Sequence, residues 1–172
     1  EQGLAYAAAG DLVRGLLAAD PDLLGRLDDS GEALATLNPS VSGTFGGIDS
    51  SAARRRVHES IRAALAAHPA VVIVDDAHLI DAPSAELLGF LARRCPPGVL
   101  LIATWPTRAG RGLLPDAVRD SLSGTRPILL GALTAHDVEE LAGPDAKVDA
   151  PDVVQRTGGV PLLVAELVAA SA

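Results

Sequence analysis

Several residue types that most proteins use freely are scarce in this chain of 172 residues. Aromatic residues make up 2% of the sequence and methionine is absent, so a core must be built from aliphatic side chains. Cys95 is the only cysteine, which excludes an internal disulfide bond and is typical of a reducing cytoplasm. No apolar run approaches the roughly 18 residues of a membrane span, and the first residues lack the basic segment of a signal peptide. We therefore expect a cytoplasmic protein that does not contact a membrane.

Positive charge is also in short supply. The formal net charge is −8, and Lys147 is the only lysine. A surface of this sign does not suit nucleic acid, so we expect no direct nucleic-acid contact by this segment. Nucleotide binding stays open, because a metal ion and a few local groups can offset phosphate charge. The length predicts one domain with room for a small appendage.

Four branched apolar residues, Val71 to Val74, run directly into Asp75 and Asp76. Such an unbroken run is typical of a strand that is buried on both faces of a parallel sheet. Ligands of open α/β sheets bind beyond the carboxyl ends of the strands, and a carboxylate pair there suits a hydrated Mg²⁺ that also contacts phosphate. The run indicates either a Walker B strand of a nucleoside triphosphatase or a buried strand that ends in a polar turn.

A second strand is predicted from Val99 to Thr104, after a helix that Asp81 or Ser84 can cap. Strand, helix and strand at this spacing predict a βαβ unit with parallel strands and a right-handed crossover. Because parallel strands end at the same edge of a sheet, Thr104 should lie beside Asp75. A third strand is predicted over residues 127–133.

Helical patterns account for most of the remaining chain, with Ser50 or Ser51 as one cap and Thr134 with Asp137 as a capping box. The predicted helices cover residues 4–19, 52–67, 113–122, 134–141, 150–156 and 162–170. Residues 38–51 are rich in Gly, Ser and Asn and are predicted to form a loop.

Three consecutive arginines, Arg54, Arg55 and Arg56, lie in the first turns of the predicted 52–67 helix. Cations at this end oppose the helix dipole. A solvated face is the favoured interpretation, and a contact with phosphate or with a partner is the alternative. His58 has no Cys or His at metal-ligand spacing and is not interpreted as a ligand.

Three runs carry a family resemblance, and they occur in the same order as in that family. They are VVIVDDAHLIDAPSAELLGFLARR, VLLIATW and RTGGVPLLVAEL. They resemble the Walker B, sensor 1 and lid segments of STAND-class P-loop ATPase domains. These AAA+-related domains are found in large ATP-binding LuxR-type and SARP-type bacterial transcription regulators. The opening AYAAAGDLVRGLL resembles the helix after the family's second strand, so the likeness covers most of the chain.

The resemblance implies an α/β fold: a parallel-sheet P-loop NTPase core, ASCE/AAA+-like, that lacks its first strands. This core would span residues 1–133, and a helical C-terminal lid would span residues 134–172. ATP and Mg²⁺ would be the cofactors of the intact domain. Its partners would be the nucleotide and the other domains or subunits of a regulator.

The resemblance also assigns roles to individual residues. Asp75 would hold Mg²⁺ through water, and Asp76 would orient or activate the attacking water. Thr104 would sense the γ-phosphate, while Gly159 and Pro161 would place the lid helix against the base. Family members often carry an arginine two residues after the sensor threonine. This chain has proline there, and its nearest arginine, Arg108, is a doubtful substitute.

A Walker A motif, G-x-x-x-x-G-K-[ST], is absent from the 172 residues. Because that loop supplies most phosphate contacts, we expect weak nucleotide affinity and negligible hydrolysis from this chain alone. In the family, strand 1 lies between strands 4 and 5, so its absence would leave inner sheet edges unpaired. A piece of a longer ATPase is the favoured explanation. A closed-up sheet and a gap filled by another chain are the alternatives.

Two other functions compete with the ATPase hypothesis. The chain could be a catalytically inert NTPase-like module that binds other proteins through an open sheet edge or an acidic face. It could also be an unrelated doubly wound enzyme that uses Asp75, Asp76 and His78. That last hypothesis is weaker, because the sequence has no G-x-S-x-G nucleophile elbow.

Overall fold

The computed structural model describes residues 6–27, 29–35, 37, 50–106, 116–121, 126–144 and 148–171. The chain divides into two compact units, Glu1–Arg126 and Pro127–Ala172, which are described separately below. The first unit contains a two-stranded parallel sheet with helices, and the second is helical in its described part. The fold is therefore a mixed α/β fold with a small parallel sheet.

The first unit contains six helices and two strands in its described part. In chain order they are α1 Ala7–Ala19, α2 Leu23–Arg26, α3 Asp29–Ala35, α4 Ser51–Ala66, β1 Ala70–Val74, α5 Ala82–Arg93, β2 Val99–Ala103 and α6 Asp116–Arg119. Most of the predicted 38–51 loop lies outside the described residues. Of the predicted 113–122 helix, residues 116–121 are described, and α6 lies within them.

The helix ends follow local capping chemistry, as the sequence predicts. The Ser50 side chain accepts a hydrogen bond from the Ala53 amide at 3.1 Å and begins α4. Asp81 accepts from the Ser84 amide at 2.9 Å and begins α5, with Pro83 in the first turn. The same Asp81 oxygen also accepts from the Tyr6 amide at 2.9 Å, at the start of α1. One carboxylate therefore caps two helices.

β1 and β2 pair in parallel, with Val71 opposite Leu100 and Ile73 opposite Ile102. α5 connects them, so the predicted parallel β–α–β arrangement is confirmed. Val72 lies in the main core of the unit, against an aliphatic cluster that includes Ile61 of α4. The core is aliphatic, as the composition requires.

The prediction that β1 is buried on both faces is wrong. Four side chains on the opposite face of the sheet are between 39% and 65% exposed: Val71, Ile73, Leu100 and Ile102. We call these four residues the bare face. The described helices of the unit pack on the Val72 side of the sheet and leave this side uncovered.

The second unit contains three helices in its described part, α7 Ala135–Ala142, α8 Ala150–Thr157 and α9 Pro161–Ser171. Thr134 and Asp137 form the predicted capping box at the start of α7. Val138, Ala150, Val153 and Val164 form the core of this unit. The prediction that the C-terminal segment is helical is therefore confirmed for its described residues.

The predicted third strand over 127–133 is wrong for the described residues. Ile128, Leu129 and Leu130 are at least 80% exposed, and this segment has no regular secondary structure. A strand exists only where a neighbouring strand completes its hydrogen bonds, and the described part of the chain pairs none with this segment. The Leu133 amide instead donates to the Gly159 carbonyl at 2.8 Å.

None of the helices in the described part of the chain combines the length and the apolar character that a bilayer crossing requires.

Candidate functional site

The carboxyl ends of β1 and β2 bring three of the predicted site residues together. Past the last paired residues, the Thr104 amide donates to the Val74 carbonyl at 3.0 Å, and the Ala77 amide donates to the Thr104 carbonyl at 2.8 Å. The ladder therefore continues one step beyond the strands. It fixes Asp75, Asp76 and Thr104 at one edge of the sheet, and we call these three residues the carboxylate edge.

The Thr104 hydroxyl joins the two acidic residues. It donates to Asp75 Oδ1 at 2.5 Å and accepts a hydrogen bond from the Asp76 amide at 3.0 Å. The prediction that Thr104 lies beside Asp75 is confirmed. A hydroxyl has one proton to donate, and here that proton is directed at Asp75. A contact from this hydroxyl proton to a phosphate would therefore require Thr104 to release Asp75.

Asp76 has a backbone conformation that few residues adopt. Its φ is 48°, in the left-handed region, which costs an ordinary L residue about 1–2 kcal/mol. Aspartate tolerates this region better than most residues. The turn is closed by the Leu79 amide, which donates to the Asp76 carbonyl at 2.8 Å, and the Asp76 side chain is 61% exposed. The conformation directs an acidic side chain into solvent beside Asp75, and backbone strain of this kind clusters at functional sites.

His78 lies beneath the same turn. Its Nδ1 atom is 3.8 Å from Asp76 Oδ1, which is too long for a hydrogen bond. Nδ1 is buried and has no hydrogen-bond partner among the described residues. The sequence analysis gave His78 no role in its favoured hypothesis. No sequence signal distinguishes a buried, unpartnered ring nitrogen from a surface histidine at a helix entry.

The carboxylate edge suits a metal ion that takes some of its ligands from water or a phosphate, and not one whose ligands all come from protein side chains. In the described ranges, no group of three or more His, Cys, Asp or Glu side chains could hold a metal ion. Asp75 and Asp76 are both exposed, and two carboxylates suit a Mg²⁺ that keeps several waters and takes further oxygens from a phosphate. One oxygen of Asp75 already accepts from Thr104, so metal contact would use the other oxygen or a bridging water.

The two predicted lid residues lie in the second unit. Gly159 is buried with φ +68°, and a methyl group on it would overlap the Leu133 carbonyl oxygen and lie 2.9 Å from Ala132 Cβ. Its amide donates to Thr157 Oγ1 at 3.2 Å. Pro161 is the exposed first residue of α9. Both residues therefore have structural reasons for their identity, apart from any contact with a nucleotide.

The position two residues after Thr104 is the exposed Pro106, and Arg108 lies outside the described residues.

Comparison with known proteins adds no identification. No family model matches the chain, and neither the curated proteins nor the solved structures contain a match.

Proposed function

We propose that this chain is part of an ATP-binding signalling domain of a bacterial transcription regulator, with the core of a P-loop NTPase. The observation that supports this most strongly is the carboxylate edge. Two acidic residues and a threonine come from adjacent parallel strands and are joined by one hydroxyl. The Thr104 hydroxyl thus links both acidic residues across the two strands, an arrangement that suits a shared ligand site.

In this proposal the three side chains divide the work at the edge. Asp75, held in place by Thr104, carries Mg²⁺ through water, and the metal would offset the charge of the ATP phosphates. The more exposed Asp76 accepts a proton from, or orients, the water that attacks the γ-phosphate. Thr104 is first a positioning residue, and it acts as a phosphate sensor only when its proton leaves Asp75.

Gly159 and Pro161 belong to a helical lid in this proposal. Gly159 ties the segment before α7 to the start of α9 through Leu133, and Pro161 fixes the first turn of α9. The turn is suited to holding a helix in one orientation toward a base. Since a phosphate-binding loop is absent from the sequence, the chain alone would bind Mg-ATP weakly and would not turn it over.

Paramagnetic broadening tests the metal site directly. Mn²⁺ replaces Mg²⁺ at oxygen ligands, and it broadens the NMR signals of nearby amides. With Mn-ATP we expect broadening centred on the amides of residues 75–77 and 104. Asp75→Asn should reduce it strongly. Asp116→Asn is the matched control, because Asp116 is an exposed aspartate of the same unit whose partner is Arg119.

Two results would refute this assignment. One is broadening of equal strength in the wild-type chain and in Asp75→Asn. The other is broadening centred on an unrelated acidic surface, such as that around Asp11, with the carboxylate edge unaffected. A folded spectrum for each variant is the necessary control.

A second function, the inert module that binds another protein, is favoured by the bare face. Four branched or leucine side chains in register form one apolar surface on a sheet that has no cover in the described part of the chain. A surface of this kind marks a protein contact. If the bare face binds a partner without help from the carboxylate edge, Asp75→Asn should leave partner binding unchanged. A paired Val71→Thr and Ile73→Thr variant should abolish it, with Leu79→Thr as the exposed control outside the face.

A further inference from the structure

A groove lies between α4 and α5 on the first unit. Its volume is about 390 Å³, and four arginines from the two helices line it: Arg54, Arg55, Arg93 and Arg94. Glu86 is the only acidic side chain in the lining. We call this the arginine groove. On a chain of net charge −8, it is a local concentration of positive charge.

The arginines of the groove are not equally compensated. Arg94 Nη1 contacts Glu59 at 3.1 Å, and Arg54 Nε lies 3.9 Å from Glu86. Within the ranges that the structure describes, Arg55 and Arg93 have no carboxylate within ion-pair distance, and both are exposed. Two guanidinium groups therefore contribute uncompensated charge, one from each wall of the groove.

A buried polar group also lines the groove. His58 is only 8% exposed, and its Nε2 atom has no hydrogen-bond partner in the described part of the chain. Its ring lies 5.3 Å from the ring of Phe90, which is tilted by 43°. Arg94 lies 5.3 Å from the centre of the same Phe90 ring. Because Nε2 itself is buried, His58 contributes its ring to the wall of the groove, and the polar groups that a ligand there could contact are those of the arginines.

We propose that the arginine groove binds a small phosphate dianion, either inorganic phosphate or the phosphate group of a phosphomonoester. Two uncompensated guanidiniums match the charge of a dianion, and their forked donors match its oxygens. A single carboxylate carries one negative charge and would need only one of the two guanidinium groups. This site is separate in its residues from the carboxylate edge and does not depend on the function proposed for that edge.

The charge of the whole chain selects a small ligand over an acidic protein or membrane. A charge of −8 repels an extended acidic surface, because many of its charges stay outside the groove. A small dianion within the groove is close to the arginines, and charges farther away than the roughly 10 Å screening length of ordinary buffers affect it little.

Adjacent arginines on α4 supply a matched pair of variants. Arg55 lines the groove, while the neighbouring, equally exposed Arg56 does not. We would titrate the full chain with inorganic phosphate and with glycerol 3-phosphate in EDTA, by calorimetry. The double variant Arg55→Gln with Arg93→Gln should weaken phosphate binding at least tenfold. Arg56→Gln should change it less than twofold, and acetate should compete weakly at equal ionic strength.

The histidine ring signals give a readout that general electrostatics would not move. The chain has four histidines, and only His58 lines the groove. Phosphate should shift the His58 ring resonances and leave those of His68 and His136 unchanged. If glycerol 3-phosphate binds more tightly than phosphate, a phosphomonoester is the ligand, and the reverse order indicates inorganic phosphate.

Three outcomes would overturn the proposal. They are no binding of either phosphate at millimolar concentration in low salt, equal losses in the Arg55→Gln/Arg93→Gln double variant and in Arg56→Gln, and tighter binding of an Asp-rich peptide than of both phosphates. Arginine-to-glutamine changes at exposed helix positions preserve helix propensity, so circular dichroism suffices to verify that each variant folds.

Discussion

Adjacent glycines in the second unit allow a sharp test of why Gly159 is glycine. Gly158 and Gly159 both have φ near +65°, at +63° and +68°. A methyl group on Gly158 would meet nothing within 4 Å, while one on Gly159 would overlap the Leu133 backbone. The pair Gly158→Ala and Gly159→Ala therefore separates the cost of the backbone conformation from the cost of the close contact.

The conformational cost is shared by both variants. An alanine in the left-handed region loses about 1–2 kcal/mol, and about 0.4–1 kcal/mol is regained from the less flexible unfolded chain. Gly158→Ala should therefore lower the free energy of unfolding by about 0.5–1 kcal/mol. Gly159→Ala adds about 1–3 kcal/mol of overpacking and loss of the Leu133–Gly159 hydrogen bond, worth about 1 kcal/mol.

The sum for Gly159→Ala is about 2.5–5 kcal/mol. The unit spans the 46 residues from 127 to 172, and a domain of this size has a stability of about 2–7 kcal/mol. The substitution should therefore unfold much of the second unit. The first unit should keep its native exchange behaviour, because the close contact is made entirely within residues 132–159.

Hydrogen exchange on the full chain, read by mass spectrometry, resolves the two units. In α7 to α9, Gly158→Ala should accelerate amide exchange roughly two- to fivefold, and Gly159→Ala roughly 60-fold or more. Equal acceleration in the two variants would refute the reasoning, since it would mean that the contact with Leu133 adds nothing. Protection lost across residues 50–106 would refute the assignment of the effect to the second unit.

Three further changes test the first unit. Thr104→Val should lower the free energy of unfolding of the first unit by about 1–2 kcal/mol, because the substitution removes both hydrogen bonds of the hydroxyl. Thr104→Ser keeps a hydroxyl and should preserve most of this free energy, and urea titrations measure both variants. Burial raises the pKa of Asp81, but hydrogen bonds from Ser84 and from backbone amides at the start of α1 outweigh this, so its pKa is lowered. Its stabilising contribution is therefore present above the unfolded pKa near 3.9 and is lost as the pH falls through the lower folded value. The difference in Tm between wild type and Asp81→Ala should shrink over that acidic range. Burial lowers the pKa of His58 in the folded protein. The contribution of the neutral ring to stability is therefore complete above about pH 6.5, the pKa in the unfolded chain, and it declines as the pH falls toward the lower pKa of the folded protein. In a His58→Gln variant, the dependence of Tm on pH below about pH 6.5 should become weaker. The same dependence in the variant and in the wild type would contradict this expectation.

Local chemistry made much of the structure predictable. Ser50, Asp81 and Thr134 cap helices where their side chains precede a helical pattern, and the structure agrees at each. The meeting of Asp75 and Thr104 was also predictable, because parallel strands end at a common edge. These inferences need only neighbouring residues or one strand pairing.

The failures concern features that depend on a distant partner. Burial of β1 on both faces and a strand over 127–133 each require another layer or strand, and an apolar run does not reveal whether one is present. The left-handed conformation of Asp76 has a local origin instead, since the Leu79 amide three residues later closes the turn. The close approach of Gly159 to Leu133 arises from packing between segments that are far apart in sequence.

The two hydrogen bonds that Asp81 accepts have a mechanical consequence. Its carboxylate joins the first turn of α5 to the start of α1, which lies 75 positions earlier in the chain. Asp81 lies five positions after Asp76, beyond the turn that leaves β1. A ligand that moves Asp76 away from Thr104 would pull on this turn and shift the common anchor of both helices. The start of α1, although remote in sequence, is thus connected to the carboxylate edge through one short turn.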